Sequence, residues 1–117
     1  MEAKELARLT AELALSKKAK DILILDLTGL SDVTNYFVLC TGESDTQVKA
    51  ISDAIDEGTR ERDARVWRRE GITHLHWVLL DYVDVVVHIF QPRVREFYDI
   101  ERLWGDAPRT VVSDDTP

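Results

Sequence analysis

The sequence predicts a single α/β domain, with helices flanking a mixed sheet of about five strands. Three observations carry that expectation. First, 117 residues with 44% hydrophobic content suffice for one buried core without disulfide or metal staples. Second, Trp77 to Phe90 consists of two apolar, β-type runs around a polar turn, the pattern of a β-hairpin. Third, helix-periodic and strand-like segments alternate in the order helix, two strands, helix, three strands, helix. Strand order is not readable from this pattern.

Each element has a local reason. Residues 2 to 16 place Leu6, Leu9 and Leu13 at helical spacing among strong helix formers, Ala3, Ala7, Ala11 and Ala14. After the basic link Lys17-Lys18-Ala19-Lys20, the run Ile22-Leu23-Ile24-Leu25 within Asp21 to Leu27 lacks alternation, as a strand covered on both faces does. The loop Thr28 to Asn35 carries Gly29, Ser31, Asp32 and Asn35 as turn formers. Tyr36 to Thr41 is the second strand, broken by Gly42, and Ser44-Asp45-Thr46-Gln47 is a capping box.

The helix opened by that box has Val48, Ile51 and Ile55 on one side and the pair Asp56 and Arg60 on the other. Gly58 weakens its end, so fraying is expected before Arg65. Arg65 to Arg69 suits a short edge strand guarded by charge, and Gly71 ends it. Pro92 fits the first turn of a closing helix with Phe97, Ile100 and Trp104 on one face and Leu103 at its margin. Val94, Tyr98 and Glu101 point elsewhere, and Gly105 stops the helix. Residues 1–105 thus form the domain, and 106–117 are expected to be a flexible tail.

Charge and cysteine usage exclude several functions. The net charge of −7 disfavours high-affinity binding to nucleic acid and favours a basic protein partner. The single cysteine, Cys40, excludes an intrachain disulfide and a thiolate zinc cluster, and its apolar setting suits a core residue. The opening Met-Glu-Ala-Lys-Glu-Leu is acidic and helical rather than an apolar leader, and no apolar run approaches membrane-spanning length. A reducing cytosol is the expected location, with no membrane partner.

The hairpin raises the functional question. With the turn centred on Tyr82 and Val83, Asp81 lies opposite Asp84, Leu79 opposite Val86 and Trp77 opposite His88, all on one face. The other face carries Val78, Leu80, Val85, Val87 and Ile89 and belongs inside. His74, His76 and His88 with Asp81 offer zinc-type ligands, but His76 and His74 fall on the opposite face from His88. Asp81 and Asp84 invite a magnesium or acid/base site, yet turn aspartates are ordinary and no phosphate loop accompanies them. Gly42-Glu43-Ser44 is a poor anion site because Glu43 repels phosphate. Ser31 and Ser44 have no partner base, and no cofactor motif occurs. Trp77, beside His88, and Tyr98, off the apolar wheel face, are either covered by a helix or anchors of an acid-rimmed protein-binding patch. Pattern alone leaves these two readings even.

Several separated motifs then resemble one family. They are Lys18-Ala19-Lys20-Asp21-Ile22 with Leu25-Asp26-Leu27; Asn35-Tyr36-Phe37-Val38 with Cys40-Thr41-Gly42, Ser44 and Gln47; Glu70-Gly71; Trp77 to Tyr82 with Asp84 to Phe90; and Arg95, Tyr98, Ile100, Glu101 and Leu103-Trp104-Gly105. In this order they resemble the ribosomal silencing factor family, also called RsfS or Iojap. The resemblance implies a nucleotidyltransferase-like fold without the activity, and no Gly-Ser followed by Asp-x-Asp occurs after Thr41. It implies binding to the universal large-subunit ribosomal protein numbered fourteen, a block on small-subunit docking, and repression of translation when nutrients run short. It also implies a homodimer when free and, from the bare N-terminus, a bacterial cytoplasm. On this reading Trp77, Leu79, Asp81, His88, Tyr98 and Glu101 are the partner-binding residues. The alternative is a degenerate magnesium-dependent nucleotidyltransferase-like enzyme using Asp81 and Asp84. Two departures stand out: Val83 occupies the turn position where the family has glycine, and Asn35 replaces a common aspartate.

Overall fold

The structure, a computed structural model, describes residues 1–114. The elements are α1 (Ala3–Ser16), β1 (Lys20–Asp26), β2 (Tyr36–Thr41), α2 (Asp45–Arg60), β3 (Arg68–Glu70), β4 (Trp77–Asp81), β5 (Val85–Phe90), α3 (Pro92–Tyr98), α4 (Ile100–Leu103) and β6 (Arg109–Val112). They build one six-stranded sheet in the order β3-β4-β5-β2-β1-β6. Only β2 and β5 run parallel; every other neighbour is antiparallel. A parallel pair needs a long crossover, which α2, β3 and β4 supply.

One sheet face is mainly aliphatic. Ile22, Ile24, Val38, Cys40, Val78, Leu80, Val85, Val87 and Ile89 meet Leu6, Ala7 and Ala11 of α1 and Val48, Ile51 and Ile55 of α2. The inner face expected of the hairpin is therefore the core. Ser44 caps α2 by accepting from the Gln47 amide at 3.1 Å, while Gln47 Oε1 accepts from the amide of Glu43 at 2.7 Å. Gly58 has a packing role besides its low helix propensity, because a Cβ there would fall 2.5 Å from Leu13 Cδ2 of α1. Its smallness lets the two helices approach.

Four expectations are corrected. The hairpin pairs Trp77 with Phe90, Leu79 with His88 and Asp81 with Val86, so Asp81 does not face Asp84. The cause is Tyr82, which stays in the ladder with its amide bonded to the Val85 carbonyl and its buried hydroxyl 2.9 Å from Thr59 Oγ1 of α2. That moves the turn one residue on and the register by two, and a shift of two keeps every side chain on its face. The edge strand is shorter than expected, Arg68–Glu70.

The closing helix is also broken. Asp99 adopts a left-handed conformation at φ 45°, so α3 and α4 are separate and the single helical wheel fails. Ile100 and Trp104 pack inward with Val94, whereas Phe97 is 79% exposed. Finally, residues 106–114 are not a loose tail. Ala107 is buried, and β6 pairs with β1 as the sixth strand, Leu23 opposite Val111 and Leu25 opposite Arg109. A four-residue strand in polar surroundings is stabilised here by the otherwise bare β1 edge. The end of the expected tail, 115–117, lies outside the described residues.

Candidate functional site

The sheet face opposite α1 and α2 carries Trp77, Leu79 and Asp81 of β4, Val86, His88 and Phe90 of β5, and Phe37 and Leu39 of β2. Helices α3 and α4 cover only part of it. Leu25, Leu39 and Phe90 are buried under Val94, Ile100 and Trp104, while Trp77, Leu79, Val86 and Phe37 remain half-exposed. The uncovered part is a shallow aromatic surface between α3 and the β3 edge.

Trp77 is its centre. Its ring lies 4.7 Å from that of Tyr98 and 5.0 Å from that of Phe90, and the exposed Phe97 stands edge-on to Tyr98 at 5.0 Å. The indole N–H donates to His88 Nδ1 at 3.1 Å. An Nδ1 that accepts requires the neutral tautomer protonated at Nε2. His88 is 4% exposed, its Nε2 has no hydrogen-bond partner, and its ring lies edge-on to Phe37 at 4.6 Å and stacks on Phe90 at 5.7 Å. Burial pushes its pKa down to about 4, so the imidazole is neutral at cellular pH. His88 is therefore closed off from the surface and holds the indole from below.

The acids behave differently from the aromatics. Asp81 accepts from the Val83 amide at 2.7 Å and lies 3.5 Å from Arg68, so its charge is spent on the turn and on a neighbouring cation. Val83 has φ 74° and is bridged by a bond from the Asp84 amide to the Tyr82 carbonyl at 3.0 Å, the rare γ-turn with positive φ. The turn is thus of an uncommon type and holds a β-branched residue at positive φ, which is strained. Asp84 has a different role: its carbonyl accepts from the amides of Asn35 and Tyr36 and ties the turn to β2.

Glu101 belongs elsewhere. It takes a 2.8 Å bond from Arg95 Nε, and Arg95 also donates to the Asp21 carbonyl and to Thr41 Oγ1. That places it over the ends of β1 and β2, not beside Trp77 on β4. Thus the structure brings together Trp77, Leu79, His88 and Tyr98, sets Asp81 at their margin and leaves Glu101 apart. Phe37, Phe97 and Arg68 join the surface without having been expected there. Phe97 was assigned to the buried wheel face, and only the break at Asp99 turns it outward. Phe37 could have been found from its parity with Leu39 on β2.

No catalytic geometry accompanies these residues. Cys40 is fully buried and its thiol is pushed up to about 12 by that burial, so it is no thiolate nucleophile. Among the described residues, no three His, Cys, Asp or Glu side chains gather as a metal site would require. Among the described residues, no helix is long and apolar enough to cross a membrane.

Fold and surface together define a small α/β protein with one sheet face sealed by aliphatic helices and the other half open and aromatic. Comparisons with known proteins give that class a family. The family model described as "Ribosomal silencing factor during starvation" matches residues 1–117, and the chain belongs to this ribosomal silencing factor family. It is 44% identical to a ribosomal silencing factor of Bacillus subtilis over 108 residues, 92% of each chain. A crystal structure of a Chromobacterium violaceum protein superposes with a TM-score of 0.87 at 39% identity, over 90% of this chain and 88% of that one. A Bacillus halodurans structure gives 0.81 at 34% identity, over 93% and 99%. The family is named for silencing ribosomes rather than for catalysis.

Proposed function

We propose that this chain represses translation by binding the large ribosomal subunit through the basic, universal ribosomal protein numbered fourteen, and that its bulk then blocks docking of the small subunit. The observation that carries the reading is the Trp77–Tyr98 pair, half-exposed, rigidly backed by His88 and Phe90, and left uncovered by α3 and α4. Rigid aromatics at the centre of a patch are what protein interfaces use as anchors. Trp77, Leu79 and Tyr98 make the contact, and His88 supports it. Asp81 contributes little steering because Arg68 is beside it, and Glu101 acts on the fold rather than on the partner. The overall charge of −7 supplies the attraction to a basic partner instead. The protein works in the bacterial cytoplasm, forms a homodimer when free, needs no cofactor and catalyses nothing.

Co-sedimentation with purified large subunits, followed by a light-scattering assay of subunit joining, tests this. Binding together with lost joining is expected. Binding that leaves joining intact would refute the steric block. The enzymatic alternative is tested by calorimetry with magnesium and nucleoside triphosphates, where no saturable heat is expected.

A further inference from the structure

The segment that leads into β3 runs against the charge of the rest of the molecule. From Arg60 to Arg69 it carries five arginines, 60, 62, 65, 68 and 69, against Glu61 and Asp63, in a chain whose net charge is −7. Arg60 and Arg69 are engaged by Asp56 of α2 at 3.0 and 2.7 Å. Arg62 and Arg65 are exposed and, among the described residues, have no carboxylate within 4 Å. Val66 packs against the aliphatic core, whereas Arg65 and Trp67 on either side of it are exposed. Trp67 is 67% exposed, and its only aromatic or cationic neighbour among the described residues is the Arg68 guanidinium, 5.3 Å above the ring. Arg68 itself has only loose ion pairs, 3.4 Å to Glu70 and 3.5 Å to Asp81.

An indole held in water with only the loosely paired Arg68 guanidinium over its ring has little packing within this domain. The same set of groups fits single-stranded nucleic acid well: an aromatic plane for one base, and forked cations for the flanking phosphates. Its place in the fold matters too. β3 pairs with β4, Arg68 opposite Asp81 and Glu70 opposite Leu79, so the Trp67–Arg68 end of the strip borders the Trp77 surface. A ribosomal protein seated on that surface would bring the RNA around it to this edge.

We propose that Arg62, Arg65 and Trp67 form a second contact surface, on which an unpaired base of large-subunit RNA stacks on Trp67 while Arg62 and Arg65 hold adjacent phosphates. The inference rests on the proposed docking to the large subunit and adds RNA as a partner. Overall negative charge makes this contact weak alone and productive once the aromatic face has docked, because the protein contact removes most of the cost of bringing the partners together.

The test compares the full-length chain with Trp67→Ala, Trp67→Phe and the double variant Arg62→Gln/Arg65→Gln, all at exposed positions that the fold tolerates. Affinities are measured for whole large subunits and for the isolated basic ribosomal protein, and a uridine dodecamer is titrated while tryptophan fluorescence is followed. Trp67→Ala should bind whole subunits about tenfold more weakly, Trp67→Phe should recover most of that loss, and neither should change affinity for the isolated protein. The double variant should lower the slope of log affinity against log salt by about one. The dodecamer should quench the wild type saturably and Trp67→Ala not at all. Unchanged subunit affinity in Trp67→Ala, or an equal loss toward the isolated protein, would overturn the RNA contact. If the wild type fails to sediment with large subunits, the proposed function falls, and the dodecamer titration still decides whether this strip binds RNA.

Discussion

The two faces of the sheet solve the same burial problem with different chemistry. Under α1 and α2 the strands present mainly aliphatic side chains, and the polar groups buried with them are few: Thr10 donates to its own helix at the Ala7 carbonyl, and Tyr82 and Thr59 satisfy each other at 2.9 Å. Under α3 and α4 the strands present Phe37, Trp77, His88 and Phe90, and the cover is too short to seal them. An aliphatic interface is held by shape and fills with whatever fits. An aromatic face with an indole–imidazole bond has a fixed orientation and can afford to be half open. The first face makes the protein fold, and the second gives it something to present.

Substitutions can break this contrast, and the largest effect belongs to the sealed face. Ile89→Ala, fully buried against the helices, should cost about 3–4 kcal/mol in urea unfolding, whereas Leu79→Ala on the open face should cost under about 1.5 kcal/mol. Equal costs would mean that the open face is as much a core as the other. Trp77→Ala should weaken binding to the proposed ribosomal-protein partner by at least about 2 kcal/mol, measured by titration calorimetry, with Ile89→Val as a control that leaves affinity unchanged.

Acid sharpens the comparison in a way only one face can answer. His88 has its folded-state pKa lowered to about 4 from an ordinary 6.5. The unfolded chain therefore binds the extra proton first as pH falls below 6.5, and the stability from the neutral imidazole is lost progressively down to about pH 4. By pH 5 the loss is about 2 kcal/mol. His88→Phe should flatten that part of the pH profile, and should also release the Trp77 indole N–H, seen as a shifted indole resonance. An indole signal that stays in place would remove His88 as its support. The smallest effect has the opposite sign: Val83→Gly should stabilise by about 1 kcal/mol, because glycine adopts φ 74° without the strain a β-branched residue carries.

How much of this was legible depends on whether the local pattern or a distant partner decides. The bounds of β2 could be read because Gly42 and the Ser44 cap punctuate its end. The hairpin faces survived an error in register because side-chain parity is immune to a shift of two, and Val83 stood out beforehand as the ill-fitting residue. Tyr82 could not be placed from the sequence, since what draws it inward is a hydroxyl on α2, 23 residues earlier. β6 had no signal of its own: Arg-Thr-Val-Val between Pro108 and Ser113 becomes a strand only because β1 offers an open edge. Of the six expected site residues, Trp77, Leu79, His88 and Tyr98 came together through strand parity and the turn of α3, with Asp81 at their margin. Glu101 did not, because its position depends on a left-handed residue at Asp99 that no periodicity foretells.

The sixth strand also sets a timetable. β1 and β2 are joined by a short loop and can pair early, whereas Leu25 must wait for Arg109 across most of the chain. Closing so large a loop is entropically slow, so the outer ladder forms after the central one. Native-state hydrogen exchange should find the β6 amides opening ahead of those of β2 and β5, and the β1 edge is the protein's exposed flank for as long as folding is incomplete.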